Sequence, residues 1–598
     1  MVKQHRSAVM RNSVVLTDRP LFHAAVLLAL SLVYFINLGT SSIWDASEAF
    51  YAGTAREMIA SGDFVSPHFN YQPRTEKPPL TYWAIVVSYK IFGINEFAVR
   101  FPGALAAVGI LLFTYAAARL LFGPRAALLA AAVIATTARV FIMERRLPID
   151  ILLLFFLTGT LYFFIRGIRK REKWCWLLAY VFLGLGFMTK GPVAVIIPAA
   201  VLGIWMLWTR KLKVSETHPL IGAVIFAGIV LPWYVLIYNA HGWAYIAPFF
   251  LSDNLGRFAI ESMGPARGPL YYVYVFAADF FPWSLLTPLC VFWLWRNRRA
   301  VGPLGSSPFG ILLLWCFFIF VLFSLSKNKQ EYYIAPIYPA AAIIIAGIVE
   351  RGLFRKISAR SNEYKQEFAS EAADAPIGGD FRSEDLVPGW KWTLYIIALL
   401  LFVLFLFAPF ILVRLFTDVS FMLHCIVAAV LMACAAFMGW KVFRANYAGS
   451  ICVCAMSLWI AFIAGTAIYV PALEAIRPVR DFCALIESRL QNGTADEAGY
   501  FRAALPSMSF YLRRPIFEEI DFDRMKERFR SDRRIFCIIS ETDYEHLVDE
   551  NLTLHILDRR RRFSLRIGDV FKKEVLPGKM MLLVSNRPDS AVSDDNDK

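Results

Sequence analysis

The chain carries little charge for its length. Only 18% of its 598 residues are Asp, Glu, Lys or Arg, whereas an ordinary soluble domain has about a quarter. Hydrophobic residues make up 58%, and the mean hydropathy is +0.52. Because long apolar runs account for this composition, it excludes an ordinary soluble multidomain protein and predicts a polytopic α-helical membrane protein.

Other absences narrow the class of function. The nine cysteines repeat no metal-ligand spacing, and Cys483 and Cys537 can pair only if the fold brings them together. No glycine-rich loop of the kind that cradles nucleotide phosphates is evident. No small-residue cleavage pattern follows the first apolar run, 21–38, so we expect an uncleaved anchor there. The net charge of +15 does not indicate nucleic-acid binding, because the basic residues cluster in short loops between apolar runs.

A helical membrane span needs about 20 mostly apolar residues. On this basis we predict about thirteen spans, give or take one or two, near 21–38, 98–121, 125–143, 148–167, 174–188, 191–208, 219–238, 270–295, 308–325, 333–350, 391–415, 421–440 and 449–470. The stretch 79–93 is short and starts at a proline. We interpret it, together with 51–59, as helices lying along the interface, with a membrane crossing at 79–93 as the alternative.

Cytoplasmic loops of membrane proteins carry an excess of Lys and Arg. The basic N-terminus therefore predicts a cytoplasmic start. Thirteen spans then put every strongly basic short loop on that same side, at 169–171, 210–211, 296–299, 351–356 and 441–444. A crossing at 79–93 would move all of these loops to the outer side, against the rule. This topology gathers several charged residues on the outer side, namely Asp45, Glu48, Glu76, Lys77, Asp150, Lys190 and Lys327.

The pattern divides the chain into three parts. Residues 1–470 form the predicted membrane module, with an outer loop at 39–97 and a polar cytoplasmic linker at 354–389. Residues 471–587 combine helical and strand-like apolar patterns, which predict a soluble α/β domain on the outer side. Residues 588–598 are polar, so we expect a disordered tail.

The outer loop contains two stretches with ionisable groups, which are costly beside a bilayer unless a site uses them. The first is Trp44-Asp45-Ala46-Ser47-Glu48-Ala49-Phe50-Tyr51-Ala52, and the second is Glu76-Lys77-Pro78-Pro79. Asp45 or Glu48 is a candidate general base, or else a carboxylate that favours a helix N-terminus. The prolines orient Glu76 and Lys77 rigidly at a helix start, and an exposed ion pair is the plainer alternative.

Two later stretches add candidates on the same side. Asp150 precedes an apolar run and follows Arg145 and Arg146, which either pair with it or bind phosphate. The stretch Ser326-Lys327-Asn328-Lys329-Gln330-Glu331-Tyr332-Tyr333 brings further cations. Its alternative interpretation is a loop whose long side chains snorkel to the interface.

One ordered string of residues resembles a known family. From Trp44 to Pro102 it reads Trp-Asp-x-x-Glu-x-x-Tyr-Ala, Arg-Glu-Met, Ser-Gly-Asp-Phe, Pro-His-Phe, Glu-Lys-Pro-Pro-Leu, Tyr-Trp, Phe-Gly and Glu-Phe-Ala-Val-Arg-Phe-Pro. This string resembles the bacterial polyprenyl-phosphate-sugar glycosyltransferases, which include the aminoarabinose transferases acting on lipid A and relatives of protein O-mannosyltransferases. The resemblance covers about residues 20 to 350, through Asp150, Phe281-Pro282-Trp283-Ser284 and the 326–333 stretch.

The resemblance implies a GT-C fold in the bacterial inner membrane. It implies a pentosyl or hexosyl transfer from an undecaprenyl-phosphate donor to a lipid, glycan or protein acceptor, with inversion of configuration. The family's carboxylates correspond to Glu76 and Asp150, its phosphate-binding lysine to Lys77, and a site-lining tyrosine to Tyr51. To these we add Arg145, Arg146, Lys327 and Tyr333 as candidate phosphate or substrate ligands. A divalent cation is possible, but no metal ligand is assigned.

The chain also departs from the family pattern. The first loop of the family often contains Asp-Glu-x-Arg-Tyr, but this chain has Ser47 at the Asp position and Phe50 at the Arg position. We therefore predict that Asp45 or Glu48 replaces the missing carboxylate. A later Glu-His pair of the aminoarabinose transferases is Asp253-Asn254 here, so neither a metal site nor a lipid A acceptor follows. A lipid-linked-glycan transporter and a non-catalytic scaffold are the alternative functions.

Overall fold

The computed structural model describes residues 19–45, 47–146, 148–256, 267–305, 307–351, 387–416, 418–490, 496–548, 552–562 and 579–588. Most of these residues are helical. Before residue 300 the α-helices are α1 Pro20–Leu32, α2 Ser47–Ser61, α3 Leu80–Phe92, α4 Glu96–Phe122, α5 Pro124–Ala135, α6 Ala138–Arg146, α7 Pro148–Lys170, α8 Lys173–Lys190, α9 Val193–Thr209, α10 Pro219–His241, α11 Trp243–Pro248, α12 Tyr271–Asp279 and α13 Thr287–Arg296.

The remaining helices follow in the same order. They are α14 Arg298–Val301, α15 Pro308–Leu325, α16 Ile337–Val349, α17 Val387–Leu415, α18 Phe421–Phe443, α19 Tyr447–Ala464, α20 Val470–Ala472, α21 Val479–Arg489, α22 Ser507–Leu512, α23 Phe522–Phe529 and α24 Glu541–Val548. Short 3₁₀ turns lie at Val214–Thr217, Trp283–Leu286, Glu331–Ile334 and Leu473–Ile476, and π-helical turns at Phe249–Gly256 and Gly465–Tyr469.

Seven helices of the described chain are long and apolar enough to cross a membrane. Two bent pairs, α5 with α6 and α12 with the segment 283–296, raise the count to nine if each pair is one span. The protein is thus a multi-pass membrane protein, and the count of thirteen spans stays a prediction. At 13 residues, α3 is about 20 Å long. It is therefore too short to cross a hydrocarbon core of about 30 Å alone.

Local chemistry sets the turns between the helices that build the site. Asn95 caps α4 by accepting a hydrogen bond from the Ala98 N–H at 2.9 Å. Gly123, with φ +95°, ends α4, and Pro124 then starts α5. Among the seven candidate spans α7 is the most enclosed, with 78% of its apolar window buried. The residues of its first turn, Pro148, Ile149, Asp150 and Ile151, are all buried.

The C-terminal part contains a five-stranded mixed sheet in the order β4-β3-β5-β7-β6. Its strands are β3 Glu497–Phe501, β4 Phe517–Glu519, β5 Ile535–Ser540, β6 His555–Arg562 and β7 Lys579–Ser585. β3 pairs in parallel with β4 and β5, whereas β7 pairs antiparallel with β5 and β6. Both Cys483 and Cys537 are buried free thiols here. A separate soluble domain on the outer side stays a prediction.

This C-terminal part contacts the first loop directly. Phe510 belongs to the apolar cluster that packs α2 against α3. Asn70 and Ile516 exchange two hydrogen bonds of 2.8 Å, and the Tyr71 hydroxyl donates to the Arg513 carbonyl at 2.9 Å. The loop also contains a two-stranded hairpin of β1 His68–Phe69 and β2 Gln72–Pro73. The sheet region therefore braces the loop that precedes Glu76.

Candidate functional site

A buried ion pair anchors the first loop. The Arg100 guanidinium donates to both carboxylate oxygens of Glu48, at 2.6 and 3.1 Å, and the Trp44 N–H donates to Glu48 at 2.8 Å. Arg100 also donates to the carbonyls of Leu38 and Ser41. The Glu48 and Arg100 side chains are only 1% and 3% exposed. Because its oxygens are occupied and buried, Glu48 is not placed to take a proton from an acceptor.

Asp45 faces the C-terminal sheet region. It accepts hydrogen bonds from the Ser507 hydroxyl at 2.5 Å and the Ser507 N–H at 3.3 Å, and Arg562 lies 3.9 Å away. Burial raises the pKa of Asp45, while Ser507 and Arg562 partly oppose that rise. The prediction that Asp45 or Glu48 replaces the carboxylate missing at Ser47 therefore has no geometric support, because both carboxylates hold the loop in place.

The first half of the candidate site surrounds Arg74. Its guanidinium donates to Glu76 at 2.8 Å and to the Tyr82 hydroxyl at 3.2 Å, and it lies 4.6 Å from the ring centroid of Phe50. Tyr51 is buried and stacks on Tyr82 with centroids 5.2 Å apart. The Glu76 side chain remains 47% exposed. Glu76 is thus a held but accessible carboxylate.

Lys77 forms a second charged pair beside it. Its ammonium group donates to Asp253 at 2.8 Å and lies 5.7 Å from the ring centroid of Phe249. Both partners are mostly buried, at 13% and 10% exposed. Asn254 is turned to its own backbone and donates to the Phe249 carbonyl at 2.6 Å. A narrow cavity adjoins the lysine, lined by Thr75, Trp233, Tyr234, Tyr245, Ile246 and Phe249.

The second half of the site lies at the junction of α7 and α8. Asp150, in the first turn of α7, forms an ion pair with Lys190, the last residue of α8. The α8 helix ends at Gly191, whose φ of +82° suits a residue without a side chain. The Lys190 ammonium group lies 5.3 and 5.1 Å from the ring centroids of Tyr332 and Tyr333. The predicted ligand Tyr333 therefore belongs to this group of residues.

The two halves adjoin each other across the stacked tyrosines. Burial raises the pKa of Tyr51 well above its usual value, and the charges of Asp150 and Glu76 add to the rise while Arg74 opposes it. For Tyr82, burial likewise raises the pKa, and both Glu76 and Asp253 contribute. The hydroxyl groups of this pair thus lie within electrostatic reach of all three carboxylates, although these come from distant parts of the chain.

The two arginines before Asp150 have different surroundings. Arg145 donates to the carbonyls of Val33 at 3.1 Å and Ile36 at 2.8 Å, and its guanidinium lies 2.8 Å from Glu144. It is buried, so the prediction that it binds phosphate lacks geometric support. Arg146 is exposed, and its guanidinium carbon lies 3.5 Å from the ring centroid of Trp44.

Lys327 is not brought into the cluster by any described contact. It is exposed in the loop after α15. The neighbouring Lys329 folds back and donates to the Ser326 carbonyl at 2.5 Å, and Arg267 lies 3.4 Å from Glu331. Lys329 and Glu331 of this loop are therefore held by contacts, whereas the Lys327 side chain is exposed.

The structure adds residues to which the sequence interpretation assigned no role. Lys190 and Asp253 hold the predicted Asp150 and Lys77, and Arg74 holds Glu76. A further bidentate pair joins Arg139 to Asp279, at 2.7 and 2.8 Å, and Tyr338 donates to Asp279 at 3.0 Å. For a residue inside an apolar run, such as Asp279, the sequence signal that could have identified it is its charge, because ionisable residues in membrane segments usually serve a function.

No group of three His, Cys, Asp or Glu side chains that could hold a metal ion occurs within the described ranges. The charged pairs of the cluster instead combine one carboxylate with one cation each. Ammonium and guanidinium groups form strong charge-assisted hydrogen bonds with carboxylate and phosphate groups.

Comparisons with known proteins agree with this geometry. Residues 76–236 match the family model described as dolichyl-phosphate-mannose-protein mannosyltransferase. The chain is 31% identical over 335 residues to an uncharacterized protein of Aquifex aeolicus, covering 56% of this chain and 64% of that protein. It is also 31% identical over 335 residues to an undecaprenyl phosphate-α-4-amino-4-deoxy-L-arabinose arabinosyl transferase of Pseudomonas fluorescens, covering 54% of this chain and 56% of that protein.

The crystal structure of ArnT from Cupriavidus metallidurans bound to undecaprenyl phosphate superposes with a TM-score of 0.74. It is 21% identical and covers 94% of this chain and 98% of that one. The chain thus shares the fold of that structure, the GT-C fold. Its similarity to undecaprenyl-phosphate-sugar transferases confirms the resemblance of its first loop to that family. The matches span 56 to 64% of the length of the two curated relatives.

Proposed function

We propose that the protein is an inner-membrane glycosyltransferase. It moves one sugar, a pentosyl or hexosyl unit, from an undecaprenyl-phosphate donor to a hydroxyl group of a lipid, glycan or protein on the outer side of the membrane. Three ion pairs carry this proposal, namely Arg74–Glu76, Lys77–Asp253 and Lys190–Asp150, because the carboxylates of all three act on the Tyr51–Tyr82 stack. The names of the curated relatives and the shared fold support it.

The two lysines are suited to hold the donor phosphate. Each ammonium group is oriented by a carboxylate, Lys77 by Asp253 and Lys190 by Asp150. Phe249 adjoins both lysines, because its ring centroid lies 5.7 Å from the Lys77 ammonium group and its ring packs on Gly191, next to Lys190. A phosphate that contacts both lysines would receive charge-assisted hydrogen bonds from each. As the bond from the anomeric carbon to the phosphate oxygen breaks, its electron pair passes to the undecaprenyl phosphate, and the two cations stabilise the leaving group.

Glu76 is suited to act as the general base. It is the one carboxylate of this cluster with an exposed side chain, and Arg74 orients it through one oxygen. The acceptor oxygen bonds to the anomeric carbon while its proton passes to Glu76. A single displacement of this kind inverts the anomeric configuration. Asp45 and Glu48, which are tied to Ser507 and Arg100, are assigned to holding the loop.

We propose that Arg74 takes the place of the arginine that the family pattern has at the position of Phe50. The guanidinium of Arg74 lies over the Phe50 ring at 4.6 Å, so a cation reaches the same neighbourhood from another position of the loop. The membrane part would thus form the catalytic module. The C-terminal region, placed on the outer side with the site, would brace the first loop. Transport of a lipid-linked glycan is not favoured, since the named relatives are transferases.

The test is turnover of radiolabelled undecaprenyl-phosphate sugars by the purified protein in detergent, with envelope extract as acceptor. Glu76→Gln is the test variant. Glu172→Gln is the matched control, because Glu172 forms a partly exposed pair with Arg166 at the far end of α7. We expect label to move to acceptor with the wild type and the control but not with Glu76→Gln. No transfer from any donor, or a product with retained configuration, would overturn the proposal.

A further inference from the structure

Trp44 lies between two arginines. The guanidinium carbons of Arg146 and Arg477 lie 3.5 and 3.9 Å from its ring centroid. Two guanidinium groups so near one centroid would overlap if they shared a face, so they occupy opposite faces of the indole. Stacking on an indole holds a guanidinium by cation–π attraction without using its N–H donors.

The two arginines differ in what else they contact. Arg477 donates to the carbonyls of Ser42 at 2.6 Å and Ile43 at 2.7 Å, which ties it to the first loop. Arg146 is exposed, and the described residues offer it neither a hydrogen bond nor a carboxylate partner. Its five N–H donors therefore remain available at a position fixed by Trp44.

The surroundings of Arg146 are positively charged. The charges that act on it most strongly are those of Arg477, Glu48, Arg100 and Arg139. Glu48 is neutralised by its buried pair with Arg100, and Arg139 is paired with Asp279. Of these neighbouring charges, Arg477 is thus the one that no paired carboxylate cancels. A fixed guanidinium with free donors, beside a second cation, is suited to bind a planar or tetrahedral oxyanion.

We propose that Arg146, stacked on Trp44 with Arg477 behind it, binds an oxyanion group of the acceptor. The acceptor would be an acidic glycolipid that carries a phosphomonoester or a carboxylate. Arg146 precedes Asp150 by four residues, so their Cα atoms are at most about 14 Å apart. This distance allows one molecule to be held at Arg146 while its hydroxyl group reaches the cluster.

The contacts of this site differ from those of the lysines assigned to the donor. Lys77 and Lys190 pair with Asp253 and Asp150, whereas Arg146 stacks on Trp44. Arg477 lies outside residues 76–236, which match the family model, and belongs to the C-terminal part of the chain. The site therefore combines Arg146, which lies within the residues that match the family model, with Trp44 and Arg477, which lie outside them. The acceptor role, though not oxyanion binding itself, rests on the proposed function.

The first experiment measures lipid binding and needs no turnover. The full-length protein in detergent is titrated with phosphatidic acid, whose headgroup is a phosphomonoester, and with phosphatidylcholine. Arg146→Gln is the test variant and Arg146→Lys keeps the charge without the planar fork. Arg298→Gln is the matched control, because Arg298 is also exposed and lies 5.5 Å from the ring centroid of Trp295.

We expect phosphatidic acid to bind about tenfold more weakly to Arg146→Gln, the loss of one charged hydrogen bond, and unchanged to the control. The Lys variant should fall between them. Equal binding by wild type and Arg146→Gln would overturn the site, and a melting temperature measured in parallel shows that the variant is folded. Inorganic phosphate that binds as tightly as the lipid would show a site for free phosphate and overturn the acceptor assignment.

The second experiment measures donor and acceptor dependence of transfer. Arg146→Gln should raise the KM for acidic acceptors about tenfold, by the same lost interaction, and leave undecaprenyl-phosphate binding unchanged. A parallel loss of donor binding would make Arg146 a donor ligand and overturn the proposal. If lipid binding depends on Arg146 but no donor is ever consumed, the proposed transferase function fails while the oxyanion site stands.

Discussion

Two ion pairs of the same chemistry hold carboxylates of the first loop in different surroundings. Glu48 and Arg100 approach to 2.6 Å with side chains 1% and 3% exposed, and Glu76 and Arg74 approach to 2.8 Å with side chains 47% and 12% exposed. Distance does not distinguish them. Exposure does, because a carboxylate that lies half in solvent can exchange a partner for a substrate, whereas a buried one cannot.

The difference has an energetic basis. Removing one member of a buried pair leaves an uncompensated charge and costs about 3–5 kcal/mol. A partly exposed pair contributes about 0–1 kcal/mol to stability. We therefore expect the Glu48 pair to contribute more to stability than the Glu76 pair, and Glu76 to be the more accessible carboxylate. Substitutions in both pairs test this division.

The largest effect is expected for Glu76→Gln. Removing a general base lowers the rate by about 10²–10⁴-fold, while the melting temperature should stay close to that of the wild type. Initial rates of label transfer and thermal unfolding in detergent measure the two quantities on the same preparation. A variant that keeps full activity would remove Glu76 from the mechanism.

Glu48→Gln should produce the reverse pattern. We expect a loss of about 3–5 kcal/mol in unfolding free energy, because Arg100 then stays buried without its counter-charge. Any protein that remains folded should keep its rate per active molecule. Unfolding followed by denaturant titration, with Glu76→Gln as the comparison, measures the effect. Unchanged stability together with lost activity would return Glu48 to the catalytic candidates.

Lys190→Gln should weaken donor binding. The phosphate loses one charge-assisted hydrogen bond, worth about 1.5–3 kcal/mol, which is about a 10- to 150-fold change in affinity. Lys173→Gln is the control, since Lys173 is exposed at the opposite end of the same helix. Binding of labelled undecaprenyl phosphate is the measurement. Equal affinity of both variants would exclude Lys190 as a phosphate ligand.

The smallest effect is expected for Asp45→Asn and depends on pH. Burial raises the pKa of Asp45 in the folded protein above the unfolded value of 3.8. The folded state therefore binds a proton more readily, and the wild type becomes less stable as pH rises through that interval. Asp45→Asn should match the wild type near pH 4 and exceed it at pH 7, by up to about 1 kcal/mol.

Melting temperatures of the two proteins across this pH range measure the difference. Their ratio of activities at pH 7 should stay near one, because Asp45 contacts Ser507 and not the cluster. A wild type that is more stable than Asp45→Asn at pH 7 would show that the Ser507 contact outweighs the cost of burial.

The sequence by itself determined the membrane class, and it predicted a resemblance to a transferase family and two residues of the candidate site, Glu76 and Lys77. Apolar runs are recognisable in the sequence because a helix needs about 20 apolar residues to cross a bilayer. The Glu76-Lys77-Pro78-Pro79 motif is recognisable because its residues are contiguous and its prolines restrict the backbone. The number of spans was less accessible. Bent helix pairs and short apolar helices have the same apolar composition as helices that cross the membrane, so composition alone does not distinguish them.

Only the tertiary structure decided which charges meet. Lys77 and Asp253 are 176 residues apart, Glu48 and Arg100 are 52 apart, and Asp150 and Lys190 are 40 apart. Helix packing brings these partners together, and no local pattern encodes it. Because burial and partner choice separate a structural carboxylate from a chemical one, Asp45 and Glu48 looked equivalent to Glu76 in the sequence and differ from it in the fold.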